Sequence, residues 1–119
     1  EPCRYSFSDA YDTTKRLLDR CPELTALFCI SDVMAMGAIR AIRDLGRRVP
    51  EDISVVGYDG IPLSQFSVPR LTTVRQDTQQ LARQGVDVLL SNIQRPRPPV
   101  HQVVPFQLIS GESVAPPRT

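Results

Sequence analysis

Apolar positions recur at three- and four-residue intervals over residues 7 to 21, at Phe7, Ala10, Tyr11, Thr14, Leu17, Leu18 and Cys21. That spacing predicts an amphipathic helix. Ser6 and Asp9 form a capping-box-like start, and Pro22 stops the helix. The pattern then changes. Residues 24 to 30, Leu-Thr-Ala-Leu-Phe-Cys-Ile, are a short apolar run without alternation, as in a strand covered on both faces in a parallel sheet. Ser31 is a good N-cap, and Asp32 suits the positive end of a helix. Met34, Ala38, Ala41, Ile42 and Leu45 return at helical spacing, and Gly46 fits the C-terminal cap. Val33, Met36, Gly37 and Arg40 lie on another side, so a helix covered on two faces is expected. Ile53 to Tyr58 is a second buried-strand candidate. Strand, helix and strand in so short a span predict a right-handed βαβ unit.

Asp59, Gly60, Ile61 and Pro62 break the second strand into a loop, and Pro69 falls near its end. Leu71 to Val74 reads as a short strand. Asp77 opens a third helix, with Gln80 placed as in a capping box. Leu81, Ala82, Gly85, Val86, Leu89, Leu90 and Ile93 form its apolar face. Arg95 to Pro99 is a proline-rich connector. Val100 to Ile109 reads as a last strand, bent at Pro105, and Ser113 to Thr119 as a loose tail. Four strands are few for a doubly wound sheet, and the first helix arrives with no strand before it. The expectation is part of a larger α/β protein.

Composition narrows the partners. The 119 residues carry 14 Lys and Arg against 13 Asp and Glu, a net charge of +1. That balance gives no electrostatic case for nucleic-acid or membrane binding by this chain itself. No apolar run is long enough for a membrane span, and no signal peptide is visible. Cys3, Cys21 and Cys29 are odd in number and lack Cys-x-x-Cys spacing. They read as free thiols of a cytoplasmic protein, with Cys29 buried.

Ligands of open parallel sheets bind beyond the carboxyl ends of the strands. Ser31 and Asp32 follow the first strand, Asp59 the second, and Arg75, Gln76 and Asp77 the third. Carboxylates accept from ligand hydroxyls, while Ser and Gln donate and accept, so the set suits a polyhydroxylated or polar heterocyclic ligand. Each residue also has a plainer role. Ser31 and Asp77 can be helix caps only, Asp32 a stabiliser of its helix N-terminus, and Asp59-Gly60 a turn. Met34 and Met36 suit packing, and the lone histidine, His101, suits the surface. No nucleophile elbow, phosphate loop, dinucleotide fingerprint or metal-ligand spacing occurs. The residues point to binding rather than catalysis, with no cofactor and no metal.

Three longer stretches are specific. Cys29-Ile-Ser-Asp-Val-Met-Ala-Met-Gly-Ala-Ile-Arg-Ala-Ile42 resembles the (A/S)ND-x-MA-x-G-x-x-x-A signature of the lac repressor (LacI/GalR) family. Arg48 to Asp59 is similar to that family's VPEDISVVGYDD, and Pro69 to Asp77 to its P-x-LTTV-x-Q. Gly111 to Pro117 resembles its RESTAPP ending. The resemblance implies an α/β fold: a three-layer parallel sheet flanked by helices, the C-terminal lobe of a periplasmic-binding-protein-like type I fold. Residues 1 to about 74 and about 106 to 119 would form that lobe. Residues from about 77 to 104 would cross to the N-terminal lobe, and the helix-turn-helix headpiece is absent from the chain. The function implied is effector sensing and dimerisation in a transcriptional repressor, responding to a sugar or similar small molecule. The alternative on the same fold is a periplasmic sugar-binding component of an uptake system. By resemblance, Tyr5 matches the aromatic that stacks on the effector, Ser31 the motif's Asn, Asp59 the carboxylate after VVGY, and Gln76 the glutamine of TTV-x-Q. The family's frequent second Asp is here Gly60. Homodimerisation is expected through Met36 and Arg40 of the second helix and Ile61, Leu63, Phe66 and Val68 of the apolar loop. Operator DNA would be reached only through a headpiece.

Overall fold

The computed structural model describes residues 2–95, 98–99 and 101–117. Pro96 and Arg97 of the expected connector, Val100 of the expected last strand, and Arg118 and Thr119 of the tail lie outside the described residues. The chain divides into two compact units, Glu1–Arg75 with Leu108–Thr119, and Gln76–Gln107.

In the first unit, α1 (Phe7–Arg20) starts at Ser6, whose hydroxyl accepts from the Asp9 N–H at 3.1 Å. The first strand, β1 (Ala26–Phe28), leads to α2 (Asp32–Asp44), capped by Ser31, and then to β2 (Ser54–Asp59). A 3-10 turn (Pro62–Gln65) precedes β3 (Thr72–Gln76), and the last strand is β4 (Phe106–Ile109). The strands stand in the order β1-β2-β3-β4. The first three are parallel, with Leu27 beside Val55 and Val56 beside Thr72. The expected βαβ unit is therefore β1-α2-β2.

Helix α2 packs against both α1 and β2, as its two-sided pattern predicts. Its buried Ala35, Ile39 and Ile42 join Leu18, Val49, Ile53, Val55 and Leu71 in one core. At Gly37 the two helices approach so closely that a β-carbon would strike the Phe7 carbonyl oxygen and sit 3.2 Å from the Ala10 β-carbon.

Three expectations need correction. The first strand is not covered on both faces. Leu27 and Cys29 turn toward the core, but Phe28 is 63% exposed. The strand is also an edge strand of the described sheet. The last strand is shorter than expected and begins after Pro105, which has no N–H to give to a ladder. The start of the expected tail is not loose. Ser113 is fully buried; its hydroxyl donates to the Val55 carbonyl at 2.6 Å and accepts from the Thr72 N–H at 2.9 Å. The Ala115 N–H then donates to Ser54 Oγ at 3.0 Å.

In the second unit, α3 (Thr78–Gln94) starts at Asp77, whose carboxyl accepts from the Gln80 N–H at 2.9 Å. None of its residues is buried, and Ile93 is 70% exposed. No helix among the described residues is long and apolar enough to cross a membrane.

Candidate functional site

Parallel strands carry their connecting loops at the carboxyl ends, so residues distant in sequence meet there. The end of β1 brings Ser31, fully buried, its hydroxyl accepting from the Met34 N–H at 3.2 Å. The end of β2 brings Asp59. Its backbone has φ of 107° and Gly60 follows with φ of 68°, so the chain turns sharply at the strand's last residue. A non-glycine residue in that region costs about 1–3 kcal/mol and persists only where its surroundings hold it. Gly60 is required twice, by its φ and because a β-carbon would overlap the Arg75 side chain. Arg75 is the β3 residue in register with Asp59.

Tyr5 reaches this site from the segment before α1, and its hydroxyl donates to Asp59 Oδ2 at 2.7 Å. The Ser31 hydroxyl pulls the phenol's pKa down. The bond to Asp59, slight burial and the charges of Asp59 and Asp32 push it up, and the net value lies above the ordinary 10.0. The phenol therefore stays a hydrogen-bond donor throughout the neutral range. The ring is 62% exposed. Tyr5, Ser31 and Asp59 thus converge at one strand-end cluster. Gln76 is the last residue of β3 and the first of the second unit.

Asp32 is fully buried and engaged by protein. Its Oδ2 accepts from the Ile61 N–H at 2.8 Å and its Oδ1 from the Thr73 hydroxyl at 2.5 Å. Gly57 makes room, since a β-carbon there would collide with Asp32 Oδ1. One carboxyl group therefore joins the start of α2, the turn after Asp59 and the adjacent strand. Thr73 and Gly57 carry no chemical signal in the sequence; they read as ordinary strand residues. The chemical capacity of the cluster is an exposed aromatic face beside a carboxyl group. Among the described residues, no group of three or more potential metal ligands occurs.

The second set lies on α2 and the loop after β2. Met36 and Ile61 are half-buried, while Leu63, Phe66 and Val68 are exposed, Phe66 at 80%. Arg40 pairs with Asp44 at 3.0 Å. Met36, Arg40 and Val68 line one shared groove.

The family model of the periplasmic binding protein-like domain matches residues 3–114. The HTH-type transcriptional repressor PurR of Haemophilus influenzae (strain PittEE) is 51% identical over 85 residues, 71% of this chain and 25% of that protein. The HTH-type transcriptional regulator MalR of Clostridium butyricum is 38% identical over 109 residues, 92% of this chain and 32% of that protein. The chain thus spans about a third or less of the curated relatives it matches. Among solved structures, the complex of the transcriptional regulator CelR with cellobiose superposes with a TM-score of 0.87 at 35% identity, covering 93% of this chain and 34% of that one. The lac repressor dimer bound to operator and the anti-inducer ONPF gives a TM-score of 0.86 at 36% identity, covering 94% and 39%.

Proposed function

The chain belongs to the periplasmic binding protein-like domain family, in the form carried by LacI-type transcriptional regulators, and from that premise we propose that it is the effector-sensing and dimerising portion of such a regulator. The observation that carries the proposal is the hydrogen bond between Tyr5 and Asp59 at the carboxyl end of β2, beside the buried Ser31. An aromatic face and a carboxyl group side by side suit a sugar: C–H groups stack on the ring while paired hydroxyls donate to the carboxylate. The cellobiose complex of a relative supports that ligand class. Gln76 joins the effector contacts on the strength of the TTV-x-Q motif. Met36, Arg40, Ile61, Leu63, Phe66 and Val68 are the proposed surface for a second copy. Residues from about 77 to 104 are proposed to cross to the other lobe of the complete effector domain. Operator binding belongs to a headpiece outside this chain, and the regulator works in the cytoplasm without a catalytic step. The named relatives are regulators, which supports this function over a transport component.

Asp59→Asn in the intact regulator tests the site. The change keeps the shape and removes the charge. Calorimetry against a panel of mono- and disaccharides, with cellobiose included, is expected to show affinity reduced by about 1.5–3 kcal/mol, roughly ten- to a hundred-fold or more, at nearly unchanged melting temperature. Unchanged affinity with a lower melting temperature would make Asp59 a turn residue only.

A further inference from the structure

We propose that Cys3 and Cys29 form a reversible oxidation site, closing on each other as a disulfide that fastens the segment before α1 to the end of β1. All three cysteines are free thiols, but their placement differs. Cys3 and Cys29 line the same cavity, walled by Thr13 and Leu17 of α1 and by Leu27 and Phe28 of β1. Cys21 caps the far end of α1, a helix of 14 residues and so about 21 Å long. Both thiols are half-buried, within reach of a small oxidant. Burial, and then the nearby Cys3, push the Cys29 thiol up to about 11. Cys3 Sγ donates to the Arg4 carbonyl at 3.3 Å, and residues 2–4 belong to no helix or strand. That short segment can adjust to the geometry a disulfide requires. No third ligand joins the pair to make a zinc-type site among the described residues.

The chemistry balances with a hydroperoxide as oxidant. The Cys3 thiolate attacks one oxygen of hydrogen peroxide, the O–O bond breaks, and the departing hydroxide takes up the thiol's proton as water. Cys29 then loses its proton and attacks the sulfenic sulfur. The S–S bond forms, the S–O bond breaks, and the second hydroxide leaves with that proton as water. Two thiols have lost two electrons, and one peroxide has become two waters. Burial disfavours the Cys29 thiolate, so the closing step speeds up as pH rises toward about 11.

Peptide mapping of the full chain reads this directly. The protein is treated with hydrogen peroxide, alkylated, and digested without reduction by trypsin plus a protease that cuts after Glu23, separating Cys21 from Cys29. The expected product is a Cys3–Cys29 linked peptide, with Cys21 alkylated, and the link reversed by dithiothreitol. Cys21→Ser is expected to leave the link intact. Cys29→Ser is expected to leave Cys3 as a sulfenic acid that dimedone traps. A link through Cys21, a link between two chains, or separate oxidation of Cys3 and Cys29 in the wild-type protein would overturn the proposal.

Discussion

Asp32 shows how much one side chain can hold. Its carboxyl group accepts from Ile61 and Thr73, inside the protein and beneath the proposed effector cluster. Removing it leaves two donors without an acceptor, and each such group costs about 1–3 kcal/mol. Asp32→Ala is expected to lower stability by about 2–5 kcal/mol in urea unfolding, and Thr73→Val by less, since only one bond is lost. A loss below about 0.5 kcal/mol for Asp32→Ala would mean that water replaces the carboxyl group at this site. At this scale the sequence was legible where motifs named chemistry. Of the four candidates, Tyr5, Ser31 and Asp59 converge, while Gln76 begins the second unit. Ser31 caps α2, the plainer of the two roles weighed for it. The strut itself was not legible. A threonine in Leu-Thr-Thr-Val reads as a strand former, and a glycine within a strand does not announce the carboxyl group it makes room for. Those meanings arise only when β2, β3 and α2 are side by side.

Two glycines sit in the middle of helices, with opposite consequences. Glycine costs a helix interior about 1 kcal/mol relative to alanine. At Gly85 of α3 a β-carbon would meet nothing within 4 Å, so Gly85→Ala is expected to recover that amount. At Gly37 of α2 it would meet the backbone carbonyl of Phe7, which cannot move without moving α1. Overpacking of this kind costs about 1–3 kcal/mol, which outweighs the propensity gain. Gly37→Ala is therefore expected to destabilise the first unit, while Gly85→Ala raises the helicity and slows the amide exchange of α3. Circular dichroism and exchange rates distinguish the pair; a stabilising Gly37→Ala would show that α1 yields freely. The elements themselves were largely legible, because caps and periodicity are local: Ser6, Ser31 and Asp77 each begin the helix they predict. The two-sided cover of β1 was not. Whether an apolar strand is central or at an edge depends on which strands stand beside it, and residue spacing carries no such information. The apolar face of α3 likewise announces a helix and is silent about what lies against it.

Among the described residues, the buried hydrophobic core belongs to the first unit. Leu18, Ile42, Ile53, Val55 and Leu71 give the first unit a closed interior. The second has a 17-residue helix with no fully buried residue. Amide protection is expected to be high in α2 and low in α3. For the proposed pairing of copies, Met36→Glu together with Phe66→Glu in the intact regulator is expected to convert a dimer to a monomer in sedimentation. A dimer that persists would place the contact elsewhere. The bare flank of β1 has a different outcome. An edge strand offers unpaired N–H and C=O groups, and natural sheets usually guard such edges with lysine, proline or a bulge. Ala26, Leu27 and Phe28 provide none of these, and Phe28 and Ile30 add exposed apolar surface on either side of Cys29. In concentrated solution, this 119-residue chain by itself should stack strand upon strand, turning cloudy and binding thioflavin at a rate that climbs steeply with protein concentration.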